Sequence, residues 1–133
     1  YPAVSECRAK ILNDAEKNGY VETIFGRRRH LPELRSAKGN KRKMIERMAF
    51  NAVFQGTAAD IIKRAMIRIK GGLDDISPDS RMTLQVHDEL LFEVPNGEEG
   101  IVADFVKGIM ENCVELDVPL SVDVGFGKNW GEA

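Results

Sequence analysis

Arg81-Met82-Thr83-Leu84-Gln85-Val86-His87-Asp88-Glu89-Leu90-Leu91-Phe92-Glu93-Val94 is the stretch from which the rest of the 133 residues can be read. Met82, Leu84 and Val86 alternate with Thr83 and Gln85, and Leu90, Phe92 and Val94 alternate with Leu91 and Glu93. That period of two predicts two strands, each with one face on a core. Between them stand three ionisable residues, His87, Asp88 and Glu89. The simplest structure is a hairpin with an acidic pair at its tip. Neighbouring carboxylates repel, so one is driven towards its protonated form unless a cation keeps both ionised. A divalent ion such as Mg2+ suits such a tip, because it takes hard oxygen ligands and few protein contacts beside substrate phosphates. The plainer alternative is a solvated polar turn, since Asp is common in turns. No Gly or Asn supplies the conformation that primed two-residue turns need, which argues against an ordinary short loop.

The length fits one domain or a piece of one, with no internal boundary expected over residues 1–133. Hydrophobic residues at 43% and charged residues at 30% describe a globular chain. No apolar run approaches the roughly 20 residues that span a bilayer. Cys7 and Cys113 both fall on apolar faces of predicted helices and are expected to be buried free thiols, which points to a reducing cytoplasm. The opening Tyr1-Pro2, without a start methionine, suggests a segment of something longer.

A net charge of −2 hides an asymmetry. Between Arg27 and Arg47 nine basic residues face two acidic ones, Glu33 and Glu46; from Asp74 onward only Arg81, Lys107 and Lys128 oppose 14 acidic residues. The basic block is either a polyanion site or a solvated loop.

Pro2 and the apolar face of Val4, Cys7, Ile11, Leu12 and Ala15 predict a first helix that Gly19 ends. Tyr20 to Leu31 predicts a second hairpin turning near Gly26. Lys41 to Lys70 is the longest helical pattern, which Gly71-Gly72 is expected to close; Gly56 inside it marks close packing or a bend. Arg47, Asn51 and Gln55 recur every four residues along that helix, a row of donors about 12 Å long. Purine N3 and pyrimidine O2 in the minor groove offer acceptors at every base pair, so such a row could follow a duplex without reading sequence. An ordinary exposed helix face would look the same. Asn96 is a possible cap for a helix running from Ile101 to Val114, and Leu120, Val122 and Val124 predict a last strand in the same sheet, with Trp130 pinning the tail to the core. The expected fold class is α+β, an antiparallel sheet with helices packed on one face.

Several stretches, in order, resemble the A-family DNA polymerases of bacterial type: Gly19-Tyr-Val-Glu-Thr-Ile-Phe-Gly-Arg-Arg-Arg29, Glu46-Arg-Met-Ala-Phe-Asn51, Gln55-Gly-Thr-Ala-Ala-Asp-Ile-Ile62 and Gln85-Val-His-Asp-Glu-Leu-Leu-Phe-Glu-Val94, with Asn129-Trp130 similar to the family's ending. The resemblance implies the C-terminal part of a polymerase palm subdomain. It matches Asp88 to the motif C aspartate that ligates the catalytic metals, Glu89 to the supporting carboxylate and His87 to the histidine lying against the primer terminus. It matches Arg47, Asn51 and Gln55 to the helix that contacts the primer-template duplex from its minor-groove side, and it leaves Arg27, Arg28 and Arg29 as looser candidates for DNA phosphate.

The implied chemistry is nucleotidyl transfer from dNTPs to a primer 3′-hydroxyl with two Mg2+ ions about 3.5 to 4 Å apart, which need carboxylates from more than one segment. The motif A aspartate and the nucleotide-binding motif B helix find no match here. The 133 residues are therefore expected to be inactive alone and to work with upstream polymerase segments, as part of a monomeric bacterial parent in the cytoplasm. The competing readings are a non-catalytic duplex DNA-binding module and a two-metal nuclease, for which no further acidic set is spaced.

Overall fold

The computed structural model describes residues 1–132. In order it has helix α1 (Pro2–Asn18), strands β1 (Tyr20–Glu22) and β2 (Arg28–His30), helix α2 (Gly39–Ile76), strands β3 (Arg81–Val86) and β4 (Glu89–Glu93), helix α3 (Glu99–Glu111) and a 3-10 turn at Trp130–Glu132. The α+β expectation holds, with two antiparallel hairpins among the described residues. Residues 1–60 and 61–133 form two compact units, and α2 contributes to both.

In the first unit, α1 begins at proline, whose missing N–H is no loss there, and ends where Gly19 turns left-handed (φ 80°) and donates to the Ala15 carbonyl at 2.8 Å. Arg35 serves the same helix end, donating to the Glu16 and Lys17 carbonyls at 2.6 and 2.5 Å. Strands β1 and β2 pair in register Tyr20↔His30, Val21↔Arg29 and Glu22↔Arg28, with Gly26 at φ 79° in the turn. Ala15, Val21, Leu31, Leu34, Ala37, Ile45 and Ala49 make the core. The hairpin stands close against α2: Ile24 N–H donates to Thr57 Oγ1 (3.2 Å), Arg27 Nε to Asp60 Oδ1 (2.8 Å) and Arg27 Nη2 to the Gly56 carbonyl (3.0 Å). A Cβ on Gly56 would lie 2.8 Å from Thr23 Cγ2. The mid-helix glycine thus marks a close approach of hairpin to helix.

In the second unit, Ala65, Ile69 and Leu73 of α2 meet Val102, Val106 and Cys113, and Leu90, Phe92 and Val94 pack on this cluster. Helix α2 does not stop at Gly71-Gly72 but runs to Ile76. A Cβ on Gly72 would meet Phe105 Cζ at 2.8 Å, so that glycine makes room for α3. The helix ends beyond, where the buried Ser77 and Ser80 hydroxyls bond at 2.5 Å around exposed Pro78.

Four further expectations are corrected. Cys113 is buried, but Cys7 is exposed, because only the C-terminal half of α1 finds a core to cover its stripe. Residues 119–124 form no strand; their alternation survives as half-buried Leu120 and Val122, but the segment pairs with no described strand, and Val122 N–H bonds the Glu111 side chain at 2.9 Å instead. Trp130 is half exposed and belongs to neither core cluster. Helix α3 has Glu98, not Asn96, at its N-terminal boundary, without a side-chain cap.

Candidate nucleic-acid interface and metal-ligating hairpin tip

Strands β3 and β4 pair antiparallel with Val86 opposite Glu89, which leaves His87 and Asp88 alone in a two-residue turn. The loop is therefore short after all. The left-handed conformation falls on His87 (φ 54°), the one non-glycine residue with positive φ among those described. Histidine tolerates that region better than most side chains, though at a cost. Gln85 Nε2 donates to the His87 carbonyl at 2.8 Å and braces the turn from the adjoining strand. Sequence reasoning passed over Gln85 as an ordinary outward strand residue; its only signal was an amide two positions before the strained residue.

A second irregularity lies lower in the hairpin. The register runs Met82↔Phe92 and then Leu84↔Leu91, so Thr83 sits at a bulge and its hydroxyl donates to the Leu91 carbonyl (3.3 Å). The bulge breaks the alternation expected of β3, and Leu84 is left exposed. Phe92 and Leu90 still face the core and hold the hairpin by its base.

His87, Asp88 and Glu89 are all exposed at the tip. Among the described residues no three His, Cys, Asp or Glu side chains converge as a metal set. One or two accessible carboxylates are nevertheless the donor type that Mg2+ takes from protein when phosphates and water supply its other ligands. The tip fits the ion as a partial ligand set.

Arg47, Asn51 and Gln55 lie exposed along α2 in the first unit, on the side away from buried Ile45 and Ala49. The nine-residue basic block is less free than its charge suggests. Arg27 pairs with Asp60, Arg28 with Glu22 (2.6 Å), Lys41 with Glu33 (2.7 Å), and Arg42 with both Glu16 and Glu46. The Glu22 hydrogen bond, with Tyr20 adding to it, pushes the Arg28 guanidinium up, and the Glu16 hydrogen bond does the same for Arg42 against partial burial. Arg28 also lies over the Tyr20 ring, 4.4 Å from its centre. With Arg35 on the end of α1, four of the nine are tied into the fold by ion pairs and a fifth by backbone carbonyls. Arg29, Lys38, Lys43 and Arg47 have no ion-pair partner among the described residues. Of the three arginines considered for phosphate, then, only Arg29 is uncommitted.

Comparison with known proteins identifies the family. The family model described as DNA polymerase family A matches residues 1–132. The DNA polymerase I of Mycobacterium leprae is 51% identical over 123 residues, 92% of this chain and 14% of that protein. That of Pseudomonas aeruginosa is 46% identical over all 133 residues, 15% of its length. The thermostable DNA polymerase I of Thermus aquaticus is 45% identical over 130 residues, also 15% of its length. The chain thus spans about one seventh of the curated relatives it matches. Among solved structures, the POL domain of Pol1 from M. smegmatis, in complex with DNA primer-template and dNTP, superposes with a TM-score of 0.96 at 47% identity, covering all of this chain and 24% of that one. A match over nearly every residue, with identity near one half, leaves one assignment: the chain belongs to DNA polymerase family A.

Proposed function

We propose that residues 1–133 form the C-terminal part of the polymerase domain of a DNA-directed DNA polymerase and carry one half of its catalytic site. The observation that carries this reading is the two-residue turn that holds Asp88 exposed at the tip of a packed hairpin, braced by Gln85. A relative of 47% identity whose structure holds primer-template and dNTP supplies the partners: duplex DNA and an incoming nucleotide.

In this reading the primer 3′-oxygen attacks the α-phosphorus of the dNTP, the bond to pyrophosphate breaks, and the hydroxyl proton leaves to solvent. The Asp88 carboxylate is a ligand for divalent metal, Glu89 adds negative charge beside it, and a further carboxylate comes from another segment of the polymerase. Bound Mg2+ ions supply the acidity that activates the hydroxyl and the charge that steadies pyrophosphate. His87, in its strained conformation, lies against the primer terminus. Arg47, Asn51 and Gln55 donate to minor-groove acceptors and hold the duplex regardless of sequence. The reading extends to a monomeric bacterial parent acting in cytoplasmic DNA replication and repair.

The test is Asp88→Ala in the polymerase that contains this chain. Primer extension should fall by at least about 1,000-fold, beyond the roughly 4 kcal/mol that loss of one transition-state contact removes, while affinity for primer-template stays within a few fold. Full extension by the variant would reject the catalytic role, and a duplex-binding module would then be the better account.

A further inference from the structure

Beyond Arg47, Asn51 and Gln55, the N-terminal end of α2 carries polar surface, at Asn40 and Lys43, that the duplex contacts above leave unused. Asn40, Lys43, Arg47, Asn51 and Gln55 step by three or four residues, and all five are exposed. Side chains so spaced share one helix face. The row is about 22 Å long at the helical rise, and its character changes along its length. Asn51 and Gln55, at one end, are neutral donors suited to base edges. At the other end Lys43 and Arg47 are cations, and there the surface becomes concave. An open groove of about 470 Å³ is lined by Asn40, Lys43, Glu46 and Arg47 of α2 and by Arg8 of α1.

The groove is cationic in effect as well as in composition. Arg8, Lys43 and Arg47 have no acidic partner within ion-pair distance among the described residues. Its one acid, Glu46, already accepts from Arg42 Nε at 2.9 Å. Arg8 does have a support, its guanidinium lying 5.8 Å from the centre of the Phe50 ring. Three unpaired cations from two helices, converging beside donors that face a duplex, match an anion with several oxygens. Phosphate is that anion, borne either by the DNA backbone or by a free nucleotide. Continuity with the donor row favours the backbone, because a duplex along the row presents phosphates next to the base edges it offers.

We propose that Arg8 and Lys43, with Arg47 between them and the base-edge donors, form a seat for a backbone phosphate of the bound duplex. The proposal rests on the duplex reading of α2. It adds a contact from α1, which that reading does not involve, and gives the row a polarity, with phosphate at its N-terminal end and bases at its C-terminal end. Contacts of this kind release counterions, so their signature is in the salt dependence of binding.

The measurement is the affinity of the whole polymerase for a fluorescein-labelled primer-template duplex between 50 and 200 mM salt, wild type against Arg8→Gln, Lys43→Gln and the double variant. Each phosphate contact contributes about 0.9 to the slope of log affinity against log salt. The double variant should lower that slope by about 1 to 2, and Lys43→Arg should retain it. Both side chains are exposed, and melting temperature serves as the check on folding; should Arg8→Gln prove unstable, Lys43→Gln alone carries the test. An unchanged slope overturns the proposal, and so does an effect confined to the KM for dNTP, which would assign the groove to the nucleotide. Arg47→Ala combined with Asn51→Ala and Gln55→Ala separates the two levels. If that triple variant weakens binding while the Arg8 and Lys43 variants leave the slope intact, only the phosphate seat fails. If the triple variant binds like wild type, the duplex reading fails with it.

Discussion

His87 shows most clearly, at the level of single residues, how a strained position falls beside the carboxylate proposed as a metal ligand. Its φ of 54° is a conformation that costs an L-residue roughly 1 to 2 kcal/mol and that glycine adopts freely. A histidine kept there in place of glycine needs a reason beyond folding. Contact of its imidazole with the primer end, as proposed, is such a reason. His87→Gly should therefore stabilise the turn, by up to about 1 kcal/mol, while weakening primer extension; His87→Val, β-branched, should destabilise it by at least about 1 kcal/mol. Hydrogen exchange at the Val86 and Glu89 amides reads both. Equal protection in the two variants would mean that the turn stores no strain. The residue scale also shows where charge misleads. Arg27, Arg28 and Arg29 look alike in the sequence, yet the first two are tied to Asp60 and Glu22. Nothing local distinguishes them, because their partners are fixed by hairpin register and by the approach of the hairpin to α2.

Among the elements, α2 is the instructive one. Gly71 and Gly72 are neighbours within it, but a Cβ on Gly71 would meet open space and one on Gly72 would meet the Phe105 ring. Gly71→Ala should stabilise the protein by up to about 1 kcal/mol, the ordinary helix gain. Gly72→Ala should destabilise it by about 1 to 3 kcal/mol through overpacking. Chemical denaturation distinguishes them, and the same sign for both would contradict the packing described for α2 and α3. The pair also shows how far the sequence could be read. Periodicity identified α1, both hairpins, α2 and α3, because each has its apolar positions at the spacing its geometry requires. It placed the end of α2 six residues early, since a glycine pair looks like a stop; Leu73, four residues after Ile69 on the same buried row, was the signal that the helix continues. The tail reads as a strand because its alternation is real, but pairing depends on an available edge, which alternation cannot reveal. The short turn at His87-Asp88 is hidden for a related reason: propensity names the residues that prefer a left-handed position, and the strand register with the Gln85 brace can hold a less favoured residue there.

Over the whole molecule, legibility differed between fold and site. The exposed donor row and the acidic tip were both visible as spacing, whereas the braces that hold them, Gln85 on the His87 carbonyl and Arg27 on Asp60, arise only when the chain folds. The two features fall in different compact units, the row within residues 1–60 and the tip within 61–133. The described residues gather no complete metal-binding set. Large apolar side chains also stand exposed, among them Val4, Phe54, Val118, Phe126 and Trp130. A primer-extension assay on these 133 residues alone should accordingly yield no synthesis, whereas robust synthesis would mean that the second carboxylate lies within them.

The most direct test of the central claim measures the metal itself. Electron paramagnetic resonance can follow Mn2+ binding to the primer-template complex of the whole polymerase, in wild type and in Asp88→Asn, a change that keeps shape and removes charge. The account predicts that Asp88→Asn weakens Mn2+ affinity at least about tenfold, equivalent to roughly 1.4 kcal/mol, with the duplex still bound. Mn2+ affinity equal to wild type would contradict it, because Asp88 would then not be a ligand.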